Sequence, residues 1–365
     1  MAAVDQQTRR RIARTGLTAL DEERACPGYV VYAPLTGNGE VYLINLHGDE
    51  VHRWHMPYAP GQYGYLLPNG NLFYGGKSPD DGVNRFSSWK RFRGGVMLEA
   101  DWEGNVLWEH FDPNHHHDAR RTETGGALYL TVEALSDDVV AKVKGGVPNS
   151  EREYGMWCDV LVEVDASGRR VWEWHAAEHL GFDTDLITFN DLRDEWSHAN
   201  TVVPLLDDKV MFSFRNISTV GIIDKKTSEI IWKLGYDVLA QQHDPNVLPN
   251  GNVLIFDNGS HRKQTALPAS RVIEVDPKTN EIVWQYQDKP AFNFFSPYIS
   301  GARRLANGNT LITEGNFGRM FQVTPDGDVV WEYINPHFNA DSDGVVTNRV
   351  FRSTFYQAHE IPGLR

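Results

Sequence analysis

The 365-residue sequence predicts an all-β protein, a six-bladed β-propeller of four-stranded antiparallel blades in a single domain. Three observations carry this. Two turn motifs alternate along the chain, a tryptophan follows each copy of the second turn, and helical periodicity is scarce. The first turn is Pro-Asn-Gly-Asn or a relative, at Pro68–Asn71, Pro249–Asn252 and Ala306–Asn309, with degenerate copies at Glu123–Gly126 and Pro204–Asp208. Asn-Gly turns take the left-handed backbone that a tight hairpin requires, so each joins two antiparallel strands. The second motif is an acid-x-x-Gly turn followed by an apolar pair that ends in tryptophan, as in "ADWEGNVLWEH" (100–110), "VDASGRRVWEW" (164–174) and "VTPDGDVVWEY" (323–333). "INLHGDEVHRW" (44–54), "IDKKTSEIIWKL" (223–234) and "VDPKTNEIVWQY" (275–286) complete the set.

Each unit therefore reads as two hairpins. The strand stretches between the turns, such as "NVLIFD", "RVIEVD" and "NTLITE", are short and β-branched. The tryptophans fall at Trp54, Trp108, Trp172, Trp232, Trp284 and Trp331. One four-stranded sheet cannot bury both faces alone, so the units must stack side by side with the repeated indoles between them. The N-terminal "GYVVYAPLTGNGEVYLINLHGDEVHRW" supplies later strands without a first one, and the C-terminal "FYQAHEIPGLR" resembles a first strand without partners. Together they make one blade, which closes the ring and removes its free edge. The expected organisation is an N-terminal extension at 1–27, a closing blade shared by 28–60 and 356–365, and five further blades across 61–355. The long insertions at 76–93, 134–157, 175–197, 287–298 and 334–355 all fall in connections on one face of the disc. Elaborated loops on a rigid scaffold mark that face as the functional one.

Composition narrows the function. A net charge of −14, with no basic block beyond Arg9-Arg10-Arg11, argues against nucleic acid or an anionic membrane as partner. The chain has two distant cysteines, Cys26 and Cys158, which exclude a disulfide framework and a cysteine-rich zinc site. No apolar targeting segment is apparent, so the expected location is cytoplasmic. The expected partner is a small molecule, and oligomeric state is left open.

Six residues before the proline position of each first turn lies a place near the start of the innermost strand, on the loop-bearing face and beside the axis. It reads Gln62, His117, His198, His243, Ser300 and, in the closing blade, Tyr356. Three adjacent blades supply histidine there. The far ends of the second strands bring Arg215, Asp257 and Glu314 toward the same mouth. His115 and His116, in "NHHHD", read as solvated loop residues. Converging imidazoles fit nucleophilic or acid-base chemistry without a cofactor. They equally fit a divalent transition metal held by His117, His198 and His243 in a lyase or hydrolase acting on a small aromatic or polar substrate. In that case Asp257, Glu314 or His359 is a fourth ligand or a partner to one. A non-catalytic ligand-binding propeller is a third reading.

The segments "HHD" (116–118), "WSHANTV" (196–202), "FSFRN" (212–216), "QHDPNVLPNGNVLIFDNG" (242–259) and "SGARRLANGNTLITEGNFGRMFQVTPDGDVVWEY" (300–333) resemble the arylsulfotransferase family, the PAPS-independent bacterial aryl-sulfate sulfotransferases. The resemblance covers nearly the whole chain and implies a six-bladed propeller. It also implies that His243 attacks the sulfur of an aryl sulfate and passes the sulfuryl group to a phenol by a ping-pong route. His117 and His198 would then act on phenolic oxygens and the transferred group, and Asn200 and Arg215 would bind sulfuryl oxygens. The strand register, independently of the resemblance, adds Asp257, Glu314 and Tyr356 to the substrate pocket. Exported family members carry an extra N-terminal β-domain and a cysteine pair, neither of which this sequence displays.

Overall fold

In the computed structural model, which describes residues 3–78, 84–151, 153–263 and 265–364, six four-stranded antiparallel sheets surround one axis. The innermost strands are Pro60–Leu66, His116–Arg121, Ala199–Leu205, His243–Val247, Gly301–Arg304 and Val350–Tyr356. Each packs on the next around the ring. A complete blade is represented by the fourth: His243–Val247, Val253–Asp257, Arg271–Asp276 and Glu281–Tyr286, hydrogen-bonded in that order.

Both faces of the inner strands are buried, because each blade lies between two others. Val253–Asp257 accordingly has no polar-apolar alternation. Leu254 and Phe256 pack with Ala302, Ile312 and Phe321 of the fifth blade. Val253 and Ile255 pack with Met211 and Val220 of the third. Each such side chain contributes roughly 1.5–3 kcal/mol on burial. Outermost strands such as Glu281–Tyr286 are mostly exposed.

The turns form as their chemistry requires. Gly70, Gly251 and Gly308 all take φ near +86 to +88°, and the asparagine before each accepts a bond from the backbone N–H two residues on. The tryptophans do more than fill space. Each indole N–H reaches the acidic turn of the next blade: Trp54 to Asp101 O, Trp108 to Ala166 O, Trp232 to Asn280 Oδ1, Trp284 to Pro325 O and Trp331 to Leu46 O, at 2.8–3.2 Å. In the second blade Trp174, not the expected Trp172, makes this bond, to Ser228 O at 3.0 Å. Trp172 instead lies under the ammonium of Lys225. The repeat is thus a hydrogen-bonded clasp that runs once around the ring.

Both termini depart from the expected boundaries. The closing strand is Val350–Tyr356, paired with Tyr29–Pro34, and residues 358–360 and 362–364 are short 3-10 turns. The closing blade's C-terminal share thus starts near 350, within the expected 334–355 insertion. The extension is not a loose tail. Gly16–Leu20 adds a fifth strand to the outer edge of the fifth blade, and Arg11 pairs with buried Glu332 at 3.1 Å. That covers an edge which would otherwise offer free backbone groups. Among the insertions, Gly145–Val147 pairs with Ile187–Leu192, and 339–340 with 346–347. Residues 79–83 of the 76–93 insertion lie outside the described residues. No helix among the described residues is long and apolar enough to cross a membrane.

Candidate functional site

The innermost strands are not regular where they meet the loop-bearing face. Register slips occur at residues 61–63, 117–118, 200, 244–245 and 351–352, one bulge in each of five blades. His117 and Asp244 sit in two of these slips with φ of 51° and 55°, and His198, just ahead of its strand, also takes 51°, in the left-handed region that is uncommon for residues other than glycine. A bulge re-aims side chains that a regular strand would send between blades. Here the bulged His117 joins His198 and His243 on the wall of one cavity.

They line a cavity of about 570 Å³, together with Arg215, Gln62 and Lys77. The rings of His117 and His198 meet edge to face at 4.9 Å, and Phe92 stacks on His117 at 4.4 Å. Phe351 lies within 6.1 Å of His117 and 6.4 Å of His243, centroid to centroid.

The state of His243 follows from its partners. Asn258 directs its Nδ2 at two carbonyls, Ser296 O (2.8 Å) and Ile299 O (2.9 Å), so its oxygen must face the other way. That oxygen lies 2.8 Å from Nδ1 of His243, which therefore carries the proton. Nε2 keeps its lone pair and meets only a long bond, 3.2 Å, from the Ile299 N–H. Burial, with the nearby charge of Arg215, holds the ring far below the ordinary histidine pKa, so it is neutral at pH 7.

His198 has the opposite arrangement. Its Nδ1 lies 2.8 Å from Oε2 of Glu195. Burial, then the charges of Asp194 and Asp159, push Glu195 well above the carboxylate range. Burial and Arg215 hold His198 down at about 4. Both shifts oppose an ion pair between them and favour a carboxyl proton donated to Nδ1 of a neutral ring. The proton of His198 is then on Nε2.

Two donors in the cavity lack a protein partner among the described residues, Nε of Arg215 and the amide Nε2 of the buried Gln62, and Lys77 lines the same wall. Arg215 is otherwise held by Asp191 Oδ1 at 3.2 Å. Burial, then the charge of Arg93, lowers the pKa of Lys77. Unpartnered buried donors of this kind suit an anion with several oxygens.

Beneath the histidines the axis is plugged. Fully buried Arg352 donates to Tyr63 Oη (2.9 Å), Asp118 Oδ2 (3.3 Å) and Thr201 Oγ1 (3.0 Å), and its Nε lies 2.9 Å from Asp244 Oδ1. Arg303 donates to the same Asp244 oxygen at 2.8 Å. Gly301 closes the plug, since a Cβ there would fall 2.3 Å from Asp244 Oδ2.

Of the expected site residues, His117, His198, His243 and Arg215 share the cavity wall, and four others do not. Asn200 is fully buried and donates to Gln242 O at 2.8 Å, which ties the third blade to the fourth. Asp257 is taken by Arg262 and Arg271, and Glu314 by Arg319 at 2.7 Å. Tyr356 lies at the other end of the closing strand, bonded through its hydroxyl to Leu66. Phe351 occupies the place the register assigned to it. Ser300 is buried and donates nothing to the cavity wall, its Oγ accepting from Gly315 N. His115 and His116 are not solvated. Both are buried, and His115 accepts from Gly95 N at 3.0 Å. The sequence reading missed Gln62 as a donor, Lys77, Asn258 and Glu195. Lys77 ends the second strand of its blade, as Asp257 and Glu314 end theirs, so the same register would have found it.

Among the described residues no group of three or more histidine, cysteine, aspartate or glutamate side chains is spaced to hold a metal ion. Nδ1 of each pocket histidine is already engaged by the protein.

The buried rings make stability pH-dependent. His198 at about 4 and His115 at about 3 lie below the value of about 6.5 for the unfolded chain, and His117 and His243 are also lowered. Between pH 6.5 and 4 the unfolded chain binds protons that the folded one refuses, so stability falls with acid. Glu195, raised when folded, acts in the opposite direction above about 4.5, but four rings outnumber it. The urea midpoint is expected to be lower at pH 5 than at pH 7, and a higher one would contradict these assignments.

Comparison with known proteins gives three findings. A family model described as arylsulfotransferase (ASST) matches residues 92–336. The arylsulfate sulfotransferase AssT of Escherichia coli is 23% identical over 354 residues, an alignment that takes in 72% of this chain and 57% of that protein. The chain thus spans little more than half the length of that relative. A crystal structure of a protein of unknown function from Bacteroides caccae superposes with a TM-score of 0.55 at 13% identity, covering 90% of this chain and 98% of the other, a likeness of fold alone.

Proposed function

The chain belongs to the arylsulfotransferase (ASST) family, and from that premise we propose that the axial cavity moves a sulfuryl group from an aryl sulfate to a phenol by way of His243. The observation that supports this reading best is the state of His243, a neutral ring with Nδ1–H held by Asn258 and an unprotonated Nε2 that meets only the Ile299 N–H at 3.2 Å.

In the first half-reaction the Nε2 lone pair attacks sulfur and an N–S bond forms. The S–O(aryl) bond breaks, and its electron pair leaves on the phenolate oxygen. Phenolate is a poor leaving group, with a conjugate pKa near 10, so it needs a proton. His198 supplies it from Nε2, and the carboxyl proton of Glu195 follows onto Nδ1. The sulfated ring of His243 now carries positive charge, which strengthens its bond to Asn258 Oδ1. In the second half an acceptor phenol attacks sulfur and gives its proton to Nε2 of His198, and Nδ1 returns its proton to Glu195. The N–S electron pair goes back to His243. Arg215, Gln62 and Lys77 offer N–H groups to the sulfuryl oxygens, and Phe92, on the cavity wall, offers its ring to the aryl group. Arg215 and Lys77 put positive charge on the wall where an anion must bind.

Initial rates with 4-nitrophenyl sulfate and phenol varied together test the covalent step. Parallel double-reciprocal lines are expected. Lines that converge would mean direct transfer between the two substrates.

A further inference from the structure

His117 has a contact that the transfer chemistry above leaves unused. Its Nδ1 lies 2.7 Å from Nδ1 of the neighbouring His116. Two ring nitrogens at that distance share one proton: two lone pairs would repel, and two N–H groups would collide. Which ring holds the proton depends on what lies behind His116. There, Nε2 of His116 faces Oδ1 of Asp159 at 3.0 Å. The contact is close but not well aligned, and neither atom has a hydrogen-bond partner elsewhere among the described residues. Both groups are almost wholly buried.

Asp159 has no lysine or arginine against it, since its one ion-pair contact among the described residues is His116. A buried carboxylate without a counter-charge is costly. Its other oxygen, Oδ2, accepts the Ala199 N–H at 2.8 Å and the Ser197 hydroxyl. Those residues flank His198 on both sides. One carboxylate therefore stands behind two of the three pocket histidines, and it does so across the boundary between the second and third blades.

We propose that Asp159 and His116 form a positioning pair: His116 carries a proton on both nitrogens, is held by Asp159, and donates from Nδ1 to Nδ1 of His117, so that His117 presents Nε2–H to the cavity. His117 then serves as a fixed donor to the oxygens of the transferred group, alongside Arg215. Burial and the neighbouring charges of His198 and His116 hold the pKa of His117 well below normal, which keeps the shared proton on the His116 side. The chemical consequence for His117 rests on the sulfuryl-transfer reading, but the ring states do not.

The test therefore has two readouts. Long-range 1H–15N correlation spectra of the histidine rings at neutral pH, in the whole protein without substrate, are expected to show His116 protonated at both nitrogens and His117 protonated at Nε2 only. Asp159→Asn is expected to leave His116 with one ring proton. It should also slow sulfation of His243 by about 10- to 100-fold while the KM for donor stays near the wild-type value, because a donor to the developing oxyanion charge is weakened. His116→Asn keeps an N–H where Nδ1 stood and should recover much of the rate that His116→Leu loses. A singly protonated His116 in the wild-type protein, or a His117 proton on Nδ1, would overturn the pair whatever the activity. Expected ring states in a protein that transfers no sulfuryl group would uphold the pair and sink the reaction reading instead.

Discussion

His243→Ala is expected to lower transfer from 4-nitrophenyl sulfate to phenol by about 10⁴-fold or more, the scale seen when a covalent nucleophile is removed. The size follows from what the cavity contains. Of the three pocket rings, His243 is the one whose Asn258 partner leaves Nε2 without a proton. Asn258 holds its Nδ1–H, and Nε2 meets only the long Ile299 contact. The Nε2 of His198 is expected to carry a proton because Glu195 donates to its Nδ1. No neighbouring ring can take over without first reversing its tautomer. The alanine should not unfold the protein, since His243 spans no blade interface apart from the Ile299 contact and the buried Asn258. Asn258→Ala is the companion. It removes the acceptor for Nδ1–H and lets the ring rotate, so its effect should fall on the same half-reaction but be smaller. Release of 4-nitrophenol within tenfold of wild type by His243→Ala would remove this residue as nucleophile.

Arg352→Met is expected to destabilise the fold by about 3–5 kcal/mol, the usual cost of removing one member of a buried charge network and leaving the others. The side chain is fully buried on the axis, where it touches Asp118, Asp244, Tyr63 and Thr201 from four other blades. Methionine fills a similar volume but satisfies none of those acceptors. Arg303 and Arg120 still reach the two carboxylates, which sets the upper limit of the loss. Arg352 comes from the C-terminal strand that closes the ring, so the plug couples closure to the floor of the active cavity. Urea denaturation of the two proteins at one pH measures the difference. A loss below about 1 kcal/mol, the scale of an exposed ion pair, would mean that the network does not hold the axis.

The fold was legible because its turns leave little choice. Asn-Gly and acid-x-x-Gly sequences demand particular backbone angles, and six repeats of them admit few arrangements. The register that found His117, His198 and His243 worked for the same reason, since it counts back from a turn. It failed where the chain has no such turn. Tyr356 was assigned to the cavity because the closing strand was expected to begin there, and the strand in fact begins at Val350. Asp257 and Glu314 lie where the register put them along their strands, but arginines from the same blades capture both. Such pairing is a property of side-chain reach and is not visible in the spacing. The same holds for Asn258 and Glu195, which define the states of His243 and His198 from the loop side. His116 looked, with His115, like a solvated imidazole in a polar run. Trp89 and Phe92 of the 76–93 insertion and Asp159 of its own blade cover it, and such long-range packing leaves no signature in local spacing.

Trapping the intermediate tests the central claim most directly. The protein is mixed with excess 4-nitrophenyl sulfate without acceptor, quenched at alkaline pH where an N-sulfated imidazole is expected to persist, and digested for peptide mass spectrometry. The account predicts one SO3 unit per chain, carried by the peptide around His243, and its loss when phenol is added before the quench. An unmodified His243 in a protein that releases 4-nitrophenol, or a sulfuryl group found on His117 or His198 instead, would contradict it.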